Sequence, residues 1–111
     1  MNAEQEYEAG AAAFRTGDAA AGATHLRNAA FAGHAEAQNQ LARIYFARLK
    51  DRSDLADLES AAQGGDHVAL FVLAMSFIDG KLVEKDTEKA MAALRLAAQQ
   101  GNTMARSMLG V

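Results

Sequence analysis

Few side chains in this sequence have the chemistry to act on another molecule, and their spacing decides what each could do. Asp51-Arg52-Ser53-Asp54 gathers two carboxylates and a hydroxyl in four residues. Paired carboxylates do general acid–base work when their environments drive their pKa values apart. At a helix start, however, they face the positive end of the dipole and serve as caps, which is the commoner arrangement and the reading taken. Histidines stand at His25, His34 and His67 in non-equivalent places, the last two near helix starts. A zinc site needs three or four convergent ligands, and no such set can be read here, so solvated or locally bonded imidazoles are expected and no metal. Ser53, Ser60, Ser76 and Ser107 lack the strand–turn–helix elbow that exposes a nucleophile. Gly64-Gly65 reads as a helix stop, without the further glycines and lysine of a phosphate loop. There is no Cys, hence no disulfide and no thiolate nucleophile or zinc ligand. The expectation is therefore a protein with no catalytic residues and no cofactor. It is not an enzyme on this reading.

The elements that would position any binding surface are set by a repeated phrase, Ala-Ala-x-x-Gly-x-x-x-Ala. It occurs at Ala29, Ala30, Gly33, Ala37, at Ala61, Ala62, Gly65, Ala69, and at Ala97, Ala98, Gly101, Ala105. A leucine follows each last alanine by four positions, at Leu41, Leu73 and Leu109. The glycines lie 32 and 36 residues apart, a period typical of repeat arrays whose units bury their apolar faces against neighbours. The chain has no Pro, half its residues are apolar, and only two Tyr and five Phe are present. Such a composition predicts an all-α protein with a core of Ala, Leu and Met. Residues 3–15 read as a first helix, Asp18 to about Phe31 as a second, 35–48 as a third and 53–63 as a fourth. The fifth spans about 66–79, the sixth runs from its cap Asp86 to Gly101, and a closing seventh covers 103–109. Together they predict one repeat domain over 1–111, in which antiparallel hairpins stack into a right-handed α/α superhelix. Its parts would be a hairpin at 3–33, repeats at 34–65 and 66–101, and a closing helix within 102–111.

Charge and hydropathy limit the partners. The net charge of −3, with acids and bases interspersed, gives no footprint for nucleic acid. The longest apolar stretch, Val68 to Met75, is far too short to span a membrane. The start, Met1-Asn2-Ala3-Glu4-Gln5-Glu6, has neither the basic nor the apolar part of a secretory signal, so cytoplasmic location is the default reading.

The stretch Gly80-Lys81-Leu82-Val83-Glu84-Lys85-Asp86-Thr87-Glu88-Lys89-Ala90 continues with Leu94, Ala97-Ala98-Gln99-Gln100-Gly101, Ala105 and Leu109-Gly110. It resembles the Sel-one-like repeat, an α/α relative of the tetratricopeptide repeat. The resemblance is good over 69–110 and fair over 37–69; residues 6–30, with Gly10, Phe14, Gly17-Asp18, Leu26 and Ala29, are similar to a generic tetratricopeptide hairpin. It departs where the family's Leu-Gly pair is Leu41-Ala42 and Leu73-Ala74, and the lack of Cys sets aside the disulfide-bearing secreted branch. The resemblance implies a bacterial adaptor that binds proteins or peptides on a concave surface, without a common active site. It also admits two other functions: an immunity protein that inhibits a toxin, and β-lactamase-like hydrolysis.

Alignment of the repeats sets helix five against helix three. Val68, Phe71, Val72 and Met75 correspond to Glu36, Asn39, Gln40 and Arg43. If equivalent positions share an environment, these eight residues line a groove with one apolar and one polar end, suited to an amphipathic helix or extended peptide. The competing reading places Phe71 and Met75 in the core, and the sequence leaves both open. Met104, Met108 and Leu109 on the closing helix would form either a lid or a homodimer contact.

Overall fold

Each repeated phrase is a joint that stops one helix and starts the next. In the computed structural model, which describes residues 1–111, the chain forms seven helices and no strand: α1 (Ala3–Arg15), α2 (Ala19–Phe31), α3 (Ala35–Arg48), α4 (Arg52–Gln63), α5 (His67–Asp79), α6 (Thr87–Gln99) and α7 (Thr103–Leu109). At the α2–α3 joint, the His34 N–H donates to the Ala29 carbonyl at 3.0 Å and the Gly33 N–H to that of Ala30 at 3.1 Å. The same two bonds recur from Asp66 to Ala61 and Gly65 to Ala62, and from Asn102 to Ala97 and Gly101 to Ala98, with matching lengths. Gly33, Gly65 and Gly101 hold φ at 98°, 103° and 99°, a left-handed conformation that costs an L side chain. The residue after each glycine then caps the new helix: His34 Nδ1, Asp66 Oδ1 and Asn102 Oδ1 accept the N–H of Ala37, Ala69 and Ala105 at 3.1, 3.0 and 2.9 Å. Thus the paired alanines are acceptors, the glycine turns the chain, and the last alanine is the capped donor. The α1–α2 turn at Gly17 and Asp18 is built the same way without the doubled alanine.

Packing follows chain order for most pairs. α2 packs on α1 and α3, α5 on α4 and α6, and α7 on α6. α1 and α2 approach closely because each shows the other a glycine. A Cβ on Gly10 would lie 3.2 Å from the Gly22 carbonyl, and one on Gly22 would lie 2.8 Å from the Phe14 ring. Two contacts skip along the chain, α3 with α5 and α3 with α7. The pairing of α3 with α4 expected of a hairpin is not found, since the two helices are not close-packed. Their connection, Leu49-Lys50-Asp51, has no glycine joint, and a cleft of about 190 Å³ opens between Tyr45, Arg48 and Leu49 on one side and Asp54, Asp57, Leu58 and Ala61 on the other.

α5 is the centre of the molecule. It supplies Val68, Ala69, Phe71, Val72, Leu73 and Ala74 to the core, with Leu26, Leu41, Leu55, Leu58 and Leu94 around it. A helix apolar all round belongs inside, and here enclosure by α3, α4 and α6 explains the sequence. No helix is long and apolar enough to cross a membrane.

A Cβ on Gly65 would meet nothing within 4 Å. Gly65→Ala should therefore cost only the left-handed backbone penalty, about 1–2 kcal/mol in urea denaturation, with helix content unchanged. Gly10→Ala should instead press on the α2 backbone at Gly22 and Leu26, which must give by a few tenths of an ångström, and raise amide exchange across both helices.

Candidate functional site

The residues expected to line a groove do not share an environment. Val68, Phe71 and Val72 lie in the core, and Met75 is half-buried against it. Of their counterparts, Glu36 and Arg43 are exposed and Asn39 is half-buried. Gln40 is half-buried too, its amide donating to the Tyr7 hydroxyl at 2.8 Å. The apolar end of the groove is thus core, because α5 is enclosed by α3, α4 and α6 while α3 keeps an open face. On α7, Met104 and Leu109 pack against the core and Met108 is exposed.

Sequence reasoning passed over the residue beside that polar row. Gln38 is fully buried and uses all four hydrogen-bonding positions of its amide facing outward from its stem. Nε2 donates to the carbonyls of Ala30 (2.9 Å) and Gly101 (3.1 Å), while Oε1 accepts the Thr103 N–H (2.7 Å) and hydroxyl (2.8 Å). It ties the α2–α3 joint to the α6–α7 joint. Nearby, the buried Asn102 amide donates to His67 Nδ1 at 3.2 Å and to the His67 carbonyl at 3.3 Å, which ties α7 to the start of α5. Asp66, also buried, caps α5 with one oxygen and takes the Tyr45 hydroxyl on the other. Burial, and then this bond to the carboxylate, push the Tyr45 phenol far above its usual range. Buried polar groups joined in this way specify one packing and are costly to break.

The histidines are structural in this arrangement, and His67 is buried rather than solvated. His25 Nδ1 meets Glu6 Oε2 at 2.6 Å and His34 Nε2 meets Glu4 Oε2 at 2.8 Å, so both fasten α1. Tyr7 stacks on the His34 ring at 4.3 Å between centroids. The His25 hydrogen bond holds the Glu6 carboxyl below the ordinary glutamate range. Asp51 is lowered as well, chiefly by the Ser53 hydroxyl, and with Asp54 it caps α4 as expected. No Ser–His pairing exists at the serines whose hydroxyls are bonded: Ser53 donates to Asp51 and Ser76 to the Val72 carbonyl. No group of three or more His, Asp or Glu side chains is arranged to hold a metal ion.

Open surface is charged. No Lys or Arg side chain pairs with a carboxylate, so all eleven are free of ion-pair partners. Several line the largest cleft, about 570 Å³, between α4 and the α5–α6 connection. Its floor is Leu55, Phe77 and Val83; Arg52, Glu59, Lys85 and Lys89 surround it, and the Lys89 ammonium sits 5.7 Å from the centre of the Phe77 ring. The longer connection at 81–85, visible in the sequence as the extra four residues of one period, is what forms this wall.

Compared with known proteins, the chain matches no protein family, no curated protein and no solved structure.

Gln38→Ala would leave the Thr103 N–H and the Gly101 and Ala30 carbonyls without this partner. A loss of roughly 3 kcal/mol or more is expected in urea denaturation. The exposed cap Asp51→Ala should cost only about 1 kcal/mol.

Proposed function

We propose that the protein is a non-enzymatic adaptor of the tetratricopeptide-like, Sel-one-like type, a cytoplasmic helical-repeat scaffold that binds a protein or peptide. The observation that carries this reading is the threefold recurrence of one joint, with the same backbone bonds, the same positive φ and the same cap at Gly33, Gly65 and Gly101. Repeated joints make repeated helix pairs, and repeat scaffolds work through broad surfaces rather than through one catalytic pocket. In support, the bonded serine hydroxyls serve caps and carbonyls, and the buried carboxylate Asp66 is spent on a helix start.

The seat proposed for the partner is the cleft between α4 and the α5–α6 connection. An apolar floor with unpaired charges of both signs suits a short peptide that carries an apolar anchor and flanking charges. Glu36, Asn39 and Arg43 on the open face of α3 provide a second, polar contact region. Met75 stands at the edge of the core and contributes little.

Pull-down from the source lysate tests this with wild-type protein, Lys85→Glu/Lys89→Glu and Asn39→Ala/Arg43→Glu. The cleft variant should stay helical and lose a specific partner at least tenfold, the α3 variant less. Retention of every partner by both folded variants would overturn the assignment. Turnover of a chromogenic β-lactam by the wild type would overturn the non-enzymatic reading.

A further inference from the structure

The contact between His67 and Asn102 admits only one protonation state. Asn102 Oδ1 is committed to the Ala105 N–H at 2.9 Å, so its Nδ2 must be the atom that faces His67. An amide N–H there requires a lone pair on His67 Nδ1, which fixes the neutral tautomer with hydrogen on Nε2. Nε2 is buried and has no partner. A second proton on the ring would set two donors against each other at Nδ1 and leave the charge unsolvated at Nε2.

The surroundings offer that charge little relief. Asp66, next in the chain, is the one charged group that acts on the ring. Its oxygens already hold the Val68 and Ala69 N–H groups and the Tyr45 hydroxyl, so turning toward the imidazole would uncap α5. α2 presents the Phe31 ring, inclined at 63° with 5.8 Å between centroids, and the α6–α7 joint presents Asn102, neither of them charged. From α3 come the neutral amide of Gln38, through Thr103, and Tyr45, through Asp66.

We propose that the His67–Asn102 contact is a proton-operated latch: it ties the start of α7 to the start of α5 while the ring is neutral and releases it when the ring takes up a proton. α7 is the element set to respond. It has only seven residues, and its start is tied down by Asn102 to His67 and by Thr103 to Gln38. Release lifts Ala105, Met104 and Leu109 from the core and bares the α3 and α6 surfaces beneath.

The direction of the pH effect follows from linkage. Burial holds His67 below the ordinary imidazole value of 6.5, with Asp66 opposing. The released or unfolded chain therefore binds the proton more readily than the closed one. The latch contributes fully above about 6.5 and weakens as pH falls below it.

Amide exchange on the whole chain at pH 7.5 and pH 5.0, corrected for intrinsic rates, tests the latch. Protection of Ala105 to Leu109 should fall severalfold in acid relative to α2, because the released segment takes up the proton more readily than the closed one. Asn102→Asp keeps a cap oxygen and offers an acceptor to a protonated ring, so its α7 should keep or gain protection at pH 5.0. Should that variant fail to fold, the wild-type NMR titration decides: the Asn102 side-chain N–H signals should shift with the His67 midpoint. Unchanged α7 protection in the wild type, an equal acid loss in Asn102→Asp, or Asn102 signals that ignore the His67 midpoint would each overturn the proposal.

Discussion

The rest of the structure depends on a single side-chain amide that has no water to fall back on. Gln38 joins carbonyls and a backbone N–H that are up to 65 residues distant from it, at a place with no solvent access. Left to local preferences, the helices form a string of independently capped segments. It is this amide that brings the α2–α3 joint against the α6–α7 joint, and so sets how the string closes. A neutral amide suits the task because it satisfies two donors and two acceptors at one point without burying a charge.

The helices themselves were legible in the sequence, and their bounds agree with the expected ones to within a residue or two. The reason is that each signal is local. A glycine at positive φ and a capping side chain three residues ahead of its donor act within one turn of chain. Environment was not legible to the same degree. Phe71 and Val72 align with Asn39 and Gln40, and equal position in a repeat suggested equal exposure. But α3, α4 and α6 enclose α5 on every side, whereas α2, α5 and α7 leave the face of α3 that carries Glu36 and Arg43 open, a difference set by contacts across the chain that no period records. Gln38, between two polar neighbours and Ala37, looked like one more solvated residue, because its partners Gly101 and Thr103 lie in another repeat.

The candidate binding cleft was half legible. An extra four residues between α5 and α6 marked a longer connection, yet what that connection would lean against depended on α4, which packs on α5 alone. α4 buries just Leu55 and Leu58 and has clefts along both flanks. Few buried contacts mean a low cost of local opening, so α4 can shift more easily than α5, which it packs against.

The joints and the Gln38 brace place opposite demands on the length of the chain. Each joint satisfies its own backbone groups, so one more helix pair spliced between Gly33 and Gly65 would leave no orphaned N–H or carbonyl. Such an insertion would, however, carry Gly101 and Thr103 away from Gln38 and strand a buried amide. Duplication of a unit is therefore open to this architecture only together with a change at residue 38. A leucine there would trade the closed form for an array free to grow.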